Sequence, residues 1–412
     1  MAIIKPFRAV RPVPELVDKV AALPYDVMNS QEARLMVEGN PYSFLHVDKA
    51  EIDLPVGTGL YDDIVYKTAA ANLRRMIDQG VYQREAKPCL YVYRQIMDGR
   101  AQTGVVACSW VDDYLNNVVK KHELTRADKE EDRCRHVDVC DAQTGPIFLT
   151  YRRRQGIDAV VDRVTAQPPL YDFTADGVRQ TVWLIDSEAD IHSLQQEFAD
   201  AGCTYIADGH HRTASAVRVG RMRREANPHY TGQEEFNTFL SVLFPDEQLY
   251  IMDYNRVVKD LNGLSVAAFM GKVGESFVVT AWKGEGPCRP PQKHSFGMYI
   301  SGKWYLLAAK DGSYGDDPVS RLDVSILQNN LLTPILGIGD PRTDKRIDFV
   351  GGIRGLGELE KRVDEGAAVA FAMFPTSIED LMAIADAGLI MPPKSTWFEP
   401  KLLSGIFVHE LS

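Results

Sequence analysis

The stretch Tyr205–Ala216 reads YIADGHHRTASA and joins a strand to a helix through a glycine turn. Tyr205, Ile206 and Ala207 predict a short buried strand. Asp208-Gly209 is a turn pair, and glycine reaches backbone angles that a Cβ disfavours. Thr213–Arg224 predicts a helix, with Ala214 and Val217 on one face and Arg218, Arg221 and Arg224 elsewhere. Such a turn gathers free backbone N–H groups and a positive dipole end at one spot, which suits an anion. Arg212 and the imidazoles of His210 and His211 add donors fitted to phosphate. Asp208 is the odd member, because a carboxylate repels an anion unless a cation such as Mg²⁺ lies between them. Read blandly, Asp208 caps the helix and the histidines are ordinary polar residues. The contiguity of Asp, Gly, His, His and Arg at one strand-to-helix turn favours a functional site.

Elements of both kinds surround this turn. Ile3–Val10 predicts a first strand, and Ser30 a helix cap before Val37. Tyr61–Gln79 predicts a helix with Tyr61, Val65, Ala69, Leu73 and Met76 on one stripe and Gly80 at its end. Cys89–Gln95 and Gln102–Trp110 predict a hairpin turning at Asp98-Gly99. Gly145–Tyr151, Thr181–Ile185, Asn237–Phe244 and Leu249–Asp253 predict strands, and Ile191–Ala201 a helix. The central turn then sits at a strand's C-terminal end, where open α/β sheets bind ligands. Beyond about Asn262 the pattern restarts, with a second hairpin (Ser295–Ile300, Lys303–Ala309) and a helix Ser377–Ala387 capped by Thr376 with Glu379. The fold class is α+β, or mixed α/β, with mixed sheets. Three regions are expected: 1–175, a phosphate-binding core at 176–262, and a further α+β region at 263–412.

The chain has 412 residues, 45% hydrophobic and 25% charged, as a soluble globular protein with ample core would have. A net charge of −11 argues against a general nucleic-acid binder. Six cysteines without a C-x-x-C pair point to reduced thiols in the cytoplasm. The start lacks the apolar core of a signal peptide, and no apolar run of about 18 residues predicts a membrane span.

Two further segments carry chemistry. His122–Arg133, HELTRADKEEDR, predicts a charged helix that is either a solvated face or a functional segment led by His122 and Glu123. It is not a zinc-protease H-E-x-x-H, since Arg126 stands four residues after His122. Met391–Lys401, MPPKSTWFEPK, places Lys394, Ser395 and Thr396 on a proline-stiffened loop beside Trp397 and Phe398. Lysine and hydroxyls suit a phosphate and aromatics a base; pinning of the C-terminal segment by its aromatics is the alternative. Asp26, in Pro24-Tyr25-Asp26-Val27, is either a turn residue or a functional carboxylate.

KPFRAVRP with PYDV, HELTRADKEEDR, ADGHHRTASA and MPPKSTWFEPK, in this order, closely resemble the domain of unknown function 1015 family along essentially the whole chain. Over Thr181–Asp253 alone the sequence more distantly resembles the ParB/sulfiredoxin superfamily. Asp208-Gly209-His210-His211-Arg212 has the form of the turn in that superfamily's free-serine kinases. His210 occupies the position of the sulfiredoxin cysteine, which argues against sulfiredoxin chemistry. Asn237–Asp253 is apolar where partition proteins carry a helix-turn-helix, which argues against DNA partition.

The resemblance implies that Gly209, His210, His211 and Arg212 cradle phosphate and that Asp208 helps with Mg²⁺ or the acceptor hydroxyl. The HEL and MPPKST segments have no counterpart in that superfamily; Thr213 is expected to join the phosphate site by its place in the turn, and Glu123 or Asp26 is the candidate base of the expected transfer. Lys394, Ser395 and Thr396 are expected to complete the nucleotide site. The expected activity is Mg²⁺-dependent transfer of phosphate from ATP or ADP to a small hydroxylated acceptor, with free L-serine the best single guess. The alternatives are a non-catalytic nucleotide-binding module that recruits a partner, and a phosphate-ester hydrolase. Expected partners are a nucleotide and a small molecule, with no nucleic acid and no membrane. The oligomeric state is not legible.

Overall fold

The computed structural model describes all 412 residues. They form two compact units, Met1–Leu249 with Pro400–Ser412, and Tyr250–Glu399. Both are mixed helix and strand, as expected.

The first unit is built on a nine-stranded mixed sheet. Its main path runs Val119–Lys120, Thr204–Asp208, Ile147–Tyr151, Thr238–Pro245, Arg100–Trp110, Leu90–Met97, Val178–Ile185 and Tyr171–Ala175, with Ile4–Lys5 paired to Arg100–Trp110. Thr238–Pro245 runs parallel to Ile147–Tyr151 and antiparallel to Arg100–Trp110. The hairpin turns at Asp98 and Gly99, both at positive φ (51° and 78°), the left-handed geometry such a turn demands. Val92, Val105, Leu149, Ile206, Phe239 and Leu243 are fully buried and join helices Gln155–Thr165 and Glu188–Ala201 in one core. A second core lies around Phe44, Leu73, Met76 and Tyr82.

The second unit carries a six-stranded antiparallel sheet: Phe277–Ala281, Lys303–Ala309, Ser295–Ile300, Val369–Ala372, Tyr254–Val258 and Ile347–Gly351. Its start and end are tied together, because Ile251–Met252 pairs with Trp397–Phe398.

Pairing divides the chain differently from the three expected regions, 1–175, 176–262 and 263–412. Strands on both sides of residue 175 share one sheet, and Tyr254–Val258 pairs into the second unit. The last thirteen residues return to the first unit, where Val408 bridges Val10 and His409–Glu410 pairs with Ala142–Gln143.

Several local readings shift. The helix expected from Tyr61 spans Asp63–Asp78, with Val65, Ala69, Leu73 and Met76 buried and Tyr61 exposed. Asn29, not Ser30, caps helix Ser30–Met36, its side chain accepting from Gln31 and Glu32 N–H while Glu32 closes a capping box. Ser377 with Asp380, not Thr376 with Glu379, caps Ile378–Asp386; the Thr376 hydroxyl donates to the Ser395 carbonyl instead. The first strand is split into Ile4–Lys5 and Val10–Pro12. All six cysteines are free thiols, and no helix is long and apolar enough to cross a membrane.

Candidate functional site

The turn forms as its residues dictate. Strand Thr204–Asp208 lies between Val119–Lys120 and Ile147–Tyr151, and its register skips between Ile206 and Asp208. Gly209 stands at φ 94°, and the helix begins at once, spanning His210–Ala226 rather than Thr213–Arg224. The first bond of the helical ladder runs from Thr213 N–H to Gly209 O, 2.9 Å. The backbone N–H groups of His210, His211 and Arg212 therefore lie in the first turn, outside that ladder, at the positive end of the helix dipole.

Asp208 has a cationic partner. Its Oδ2 accepts from Lys401 Nζ at 2.8 Å, and its Oδ1 from Gly209 N–H at 2.7 Å. Burial by itself would raise the Asp208 pKa. The Lys401 ammonium and Arg212 guanidinium overcome this and hold the carboxyl well below the usual range. The charge expected to call for Mg²⁺ at Asp208 is thus met by a lysine of the same unit, and the electrostatic reason for placing a metal on Asp208 falls away.

Arg212 folds back over the turn. A Cβ on Gly209 would lie 3.2 Å from its Nε, and its Nη1 donates to Pro146 O at 2.6 Å. Thr213 is fully buried, and its hydroxyl braces the turn by donating to Gly209 O at 3.0 Å. His211 Nε2 accepts from the backbone N–H of Arg126 at 3.0 Å, which anchors the HEL segment to the turn.

That segment is not one helix. Arg126 is extended and the helix spans Ala127–Cys140, leaving His122 and Glu123 in the preceding loop. There the ligand atoms of His122, Glu123 and His210 lie within 4.8 Å of one another, and the rings of His122 and His210 meet edge-on with centroids 4.4 Å apart. Burial drives both imidazoles toward the neutral form, His122 to about 4 and His210 well below its ordinary value; the Asp208 charge pulls the other way without prevailing. The fold thus brings Glu123 to the turn from 85 residues upstream of Asp208. Asp26 is exposed, while Tyr25 beside it turns toward a cleft.

This narrow cleft is lined by Arg212, Arg133, Tyr25, Asp48, His136 and Thr144, among others. Arg133 stacks on the Tyr25 ring at 4.0 Å and pairs with Asp132 at 2.9 Å. Asp48 Oδ1 accepts from the Thr144 hydroxyl at 2.7 Å. Two guanidinium groups at one cleft favour an anionic ligand. Neither Lys401 nor the Arg133–Tyr25 pair stood out in the sequence as a site residue. The signal for Lys401 was its place at the end of MPPKSTWFEPK.

Lys394, Ser395 and Thr396 belong to the Tyr250–Glu399 unit. Lys394 is exposed at φ 61° with Nζ 5.5 Å from the Tyr254 ring centre, and its carbonyl accepts from Arg256 Nη2 at 2.9 Å. The Ser395 hydroxyl donates to Pro392 O at 2.6 Å. These bonds brace the segment as a loop of this unit.

Among solved structures, a free serine kinase in complex with AMP is similar at 12% identity and a TM-score of 0.38, with 75% of this chain and 91% of that one covered. SbnI with a C-terminal truncation, from Staphylococcus aureus, is similar at 13% and 0.40, covering 74% and 87%. A conserved hypothetical protein from Pyrococcus furiosus is similar at 15% and 0.36, covering 74% and 95%. Likenesses this distant carry no residue roles across. No curated protein matches the sequence. The family described as protein of unknown function (DUF1015) matches residues 4–325, more than three quarters of the sequence, and the chain belongs to it.

Proposed function

We propose that this protein is a phosphotransferase, moving a phosphoryl group from ATP or ADP to the hydroxyl of a small acceptor such as free L-serine. The observation that carries the reading is the turn itself. Gly209 at positive φ starts a helix whose first N–H groups stand outside the ladder, the Lys401–Asp208 pair sits on the residue before that glycine, and Arg212 of the first turn also lines a two-arginine cleft. That arrangement suits the anionic groups of a donor and a charged acceptor.

In this reading the donor phosphates rest on the N–H groups of His210, His211 and Arg212, and Arg212 meets the charge that gathers during transfer. The bond from the terminal phosphorus to its bridging oxygen breaks, and the oxygen keeps the electron pair. The acceptor hydroxyl oxygen takes the phosphorus, and its proton leaves to solvent. Such transfers pass through a loose transition state that asks more for charge stabilisation than for a strong base. Mg²⁺ enters with the nucleotide, neutralising its phosphates. Lys401 holds Asp208 in place beneath them, and Arg133 is the partner for an acceptor carboxylate.

The test is incubation with Mg²⁺, ATP or ADP, and a pool of hydroxylated amino acids, followed by ³¹P NMR. A new phosphoester is expected. Release of inorganic phosphate alone would make the protein a hydrolase. Binding without turnover would make it a recruiting module. Either result overturns the phosphotransferase reading.

A further inference from the structure

We infer that His122, Glu123 and His210 form a binding site for a divalent first-row transition metal ion of the zinc class. Their ligand atoms already lie within 4.8 Å of one another. Ligands on one tetrahedral zinc ion stand roughly 3.3 Å apart, so side-chain rotations of an ångström or so close the set. His122 is only 1% exposed, yet neither of its ring nitrogens makes a well-formed hydrogen bond. A buried polar atom left in that state costs about 1–3 kcal/mol, and native structures rarely tolerate it without a purpose. His210 Nε2 is met by the His122 N–H at 3.5 Å, beyond the normal hydrogen-bond range.

The donor set selects the ion. Two imidazoles and a carboxylate suit zinc and its neighbours, whereas Mg²⁺ prefers oxygen ligands and keeps its water. The loop that brings His122 and Glu123 is pinned to the helix by the bond from Arg126 N–H to His211, so the two halves of the set are held together by the protein. Glu123 is partly exposed and gives the ion a way in. Three protein ligands leave a position open for a water or an anionic oxygen. His210 directly follows Gly209, so the set includes the first residue of the helix on which the phosphate site is proposed. Glu123 is then a ligand, not the base expected of it. The inference stands on this geometry and does not require phosphotransfer.

The test uses the full chain, stripped with a chelator and titrated with Zn²⁺ in a large excess of Mg²⁺. One equivalent should bind at micromolar or tighter affinity and raise the melting temperature, with Mg²⁺ failing to compete. Glu123→Gln, at a partly exposed position that leaves the core intact, should weaken binding at least about tenfold. His210→Ala should abolish it, and His229→Ala, on an exposed residue elsewhere, should leave it unchanged. Co²⁺ should give the visible absorption of a low-coordinate site in the wild type and lose it in Glu123→Gln. Absence of stoichiometric Zn²⁺ binding, or wild-type affinity in Glu123→Gln, overturns the assignment even if His210→Ala fails to fold.

Discussion

At the scale of single residues, the Asp208–Lys401 pair and Arg212 govern the site. Lys401→Met removes the ammonium from a partly buried carboxylate and leaves it the Gly209 N–H and the charge of the Arg212 guanidinium. The expected loss is about 1–3 kcal/mol of stability, mostly the penalty of stranding Asp208. Asp208→Asn on the Lys401→Met background should recover part of it. Denaturant melts of the two single variants and the double variant measure the coupling, and simple additivity would mean the pair is not energetically linked. Arg212→Lys keeps a charge but loses the planar fork that grips two oxygens. Under the proposed function it should lower turnover by ~10²–10³ while changing ground-state nucleotide affinity far less. An equal loss in both would assign Arg212 to binding alone.

At the scale of elements, the strand–turn–helix depends on its glycine. Gly209→Ala places a Cβ at φ 94° and 3.2 Å from the Arg212 guanidinium. The backbone strain costs about 1–2 kcal/mol, and the Arg212 guanidinium must give way slightly. A melting shift accompanied by weaker phosphate binding is expected; a shift alone would detach the arginine from the anion site. In the second unit, helix Asp323–Leu327 starts on a carboxyl whose Oδ1 accepts from His294 N–H and whose Oδ2 is buried without a partner. Burial pushes the Asp323 pKa up to about 7. The folded state thus holds a proton that the unfolded chain, at about 3.9, gives up earlier. The stability that this group contributes is fully present below pH ~4 and is lost as pH rises to 7, a span worth on the order of 3–4 kcal/mol. Subtracting Asp323→Asn melts from wild-type melts between pH 4 and 8 should isolate that falling slope. A flat difference would mean that Asp323 is solvated.

At the scale of the whole molecule, the closing segment belongs to the first unit. Leu402, Leu403, Ile406, Phe407, Val408 and Leu411 are all buried, at 3% exposure or less. Burial of such side chains is worth roughly 1.5–3 kcal/mol each, so together they rival the net stability of a domain. A chain ending at Glu399 should therefore lose the first unit's cooperative transition while the Tyr250–Glu399 unit still melts on its own. Retention of both transitions would show that the segment is dispensable for folding.

The sequence by itself determined the mixed fold class, the second hairpin residue for residue, and the strand–glycine–helix turn, because these follow from short-range periodicity and from glycine's access to left-handed angles. Helix caps slipped by a residue, since Asn29 and Ser30, or Thr376 and Ser377, offer neighbouring side chains of similar capping ability. Only the tertiary structure decided what surrounds the turn. It turned the Thr213 hydroxyl back onto Gly209 O and set Lys401, from the far end of the chain, against Asp208. It also joined His122 and Glu123 to His210, a cluster that no local spacing reveals because 88 and 87 residues separate the first two from the third. Each of these contacts depends on which distant strands pair and where the chain returns, and local sequence preferences do not encode that.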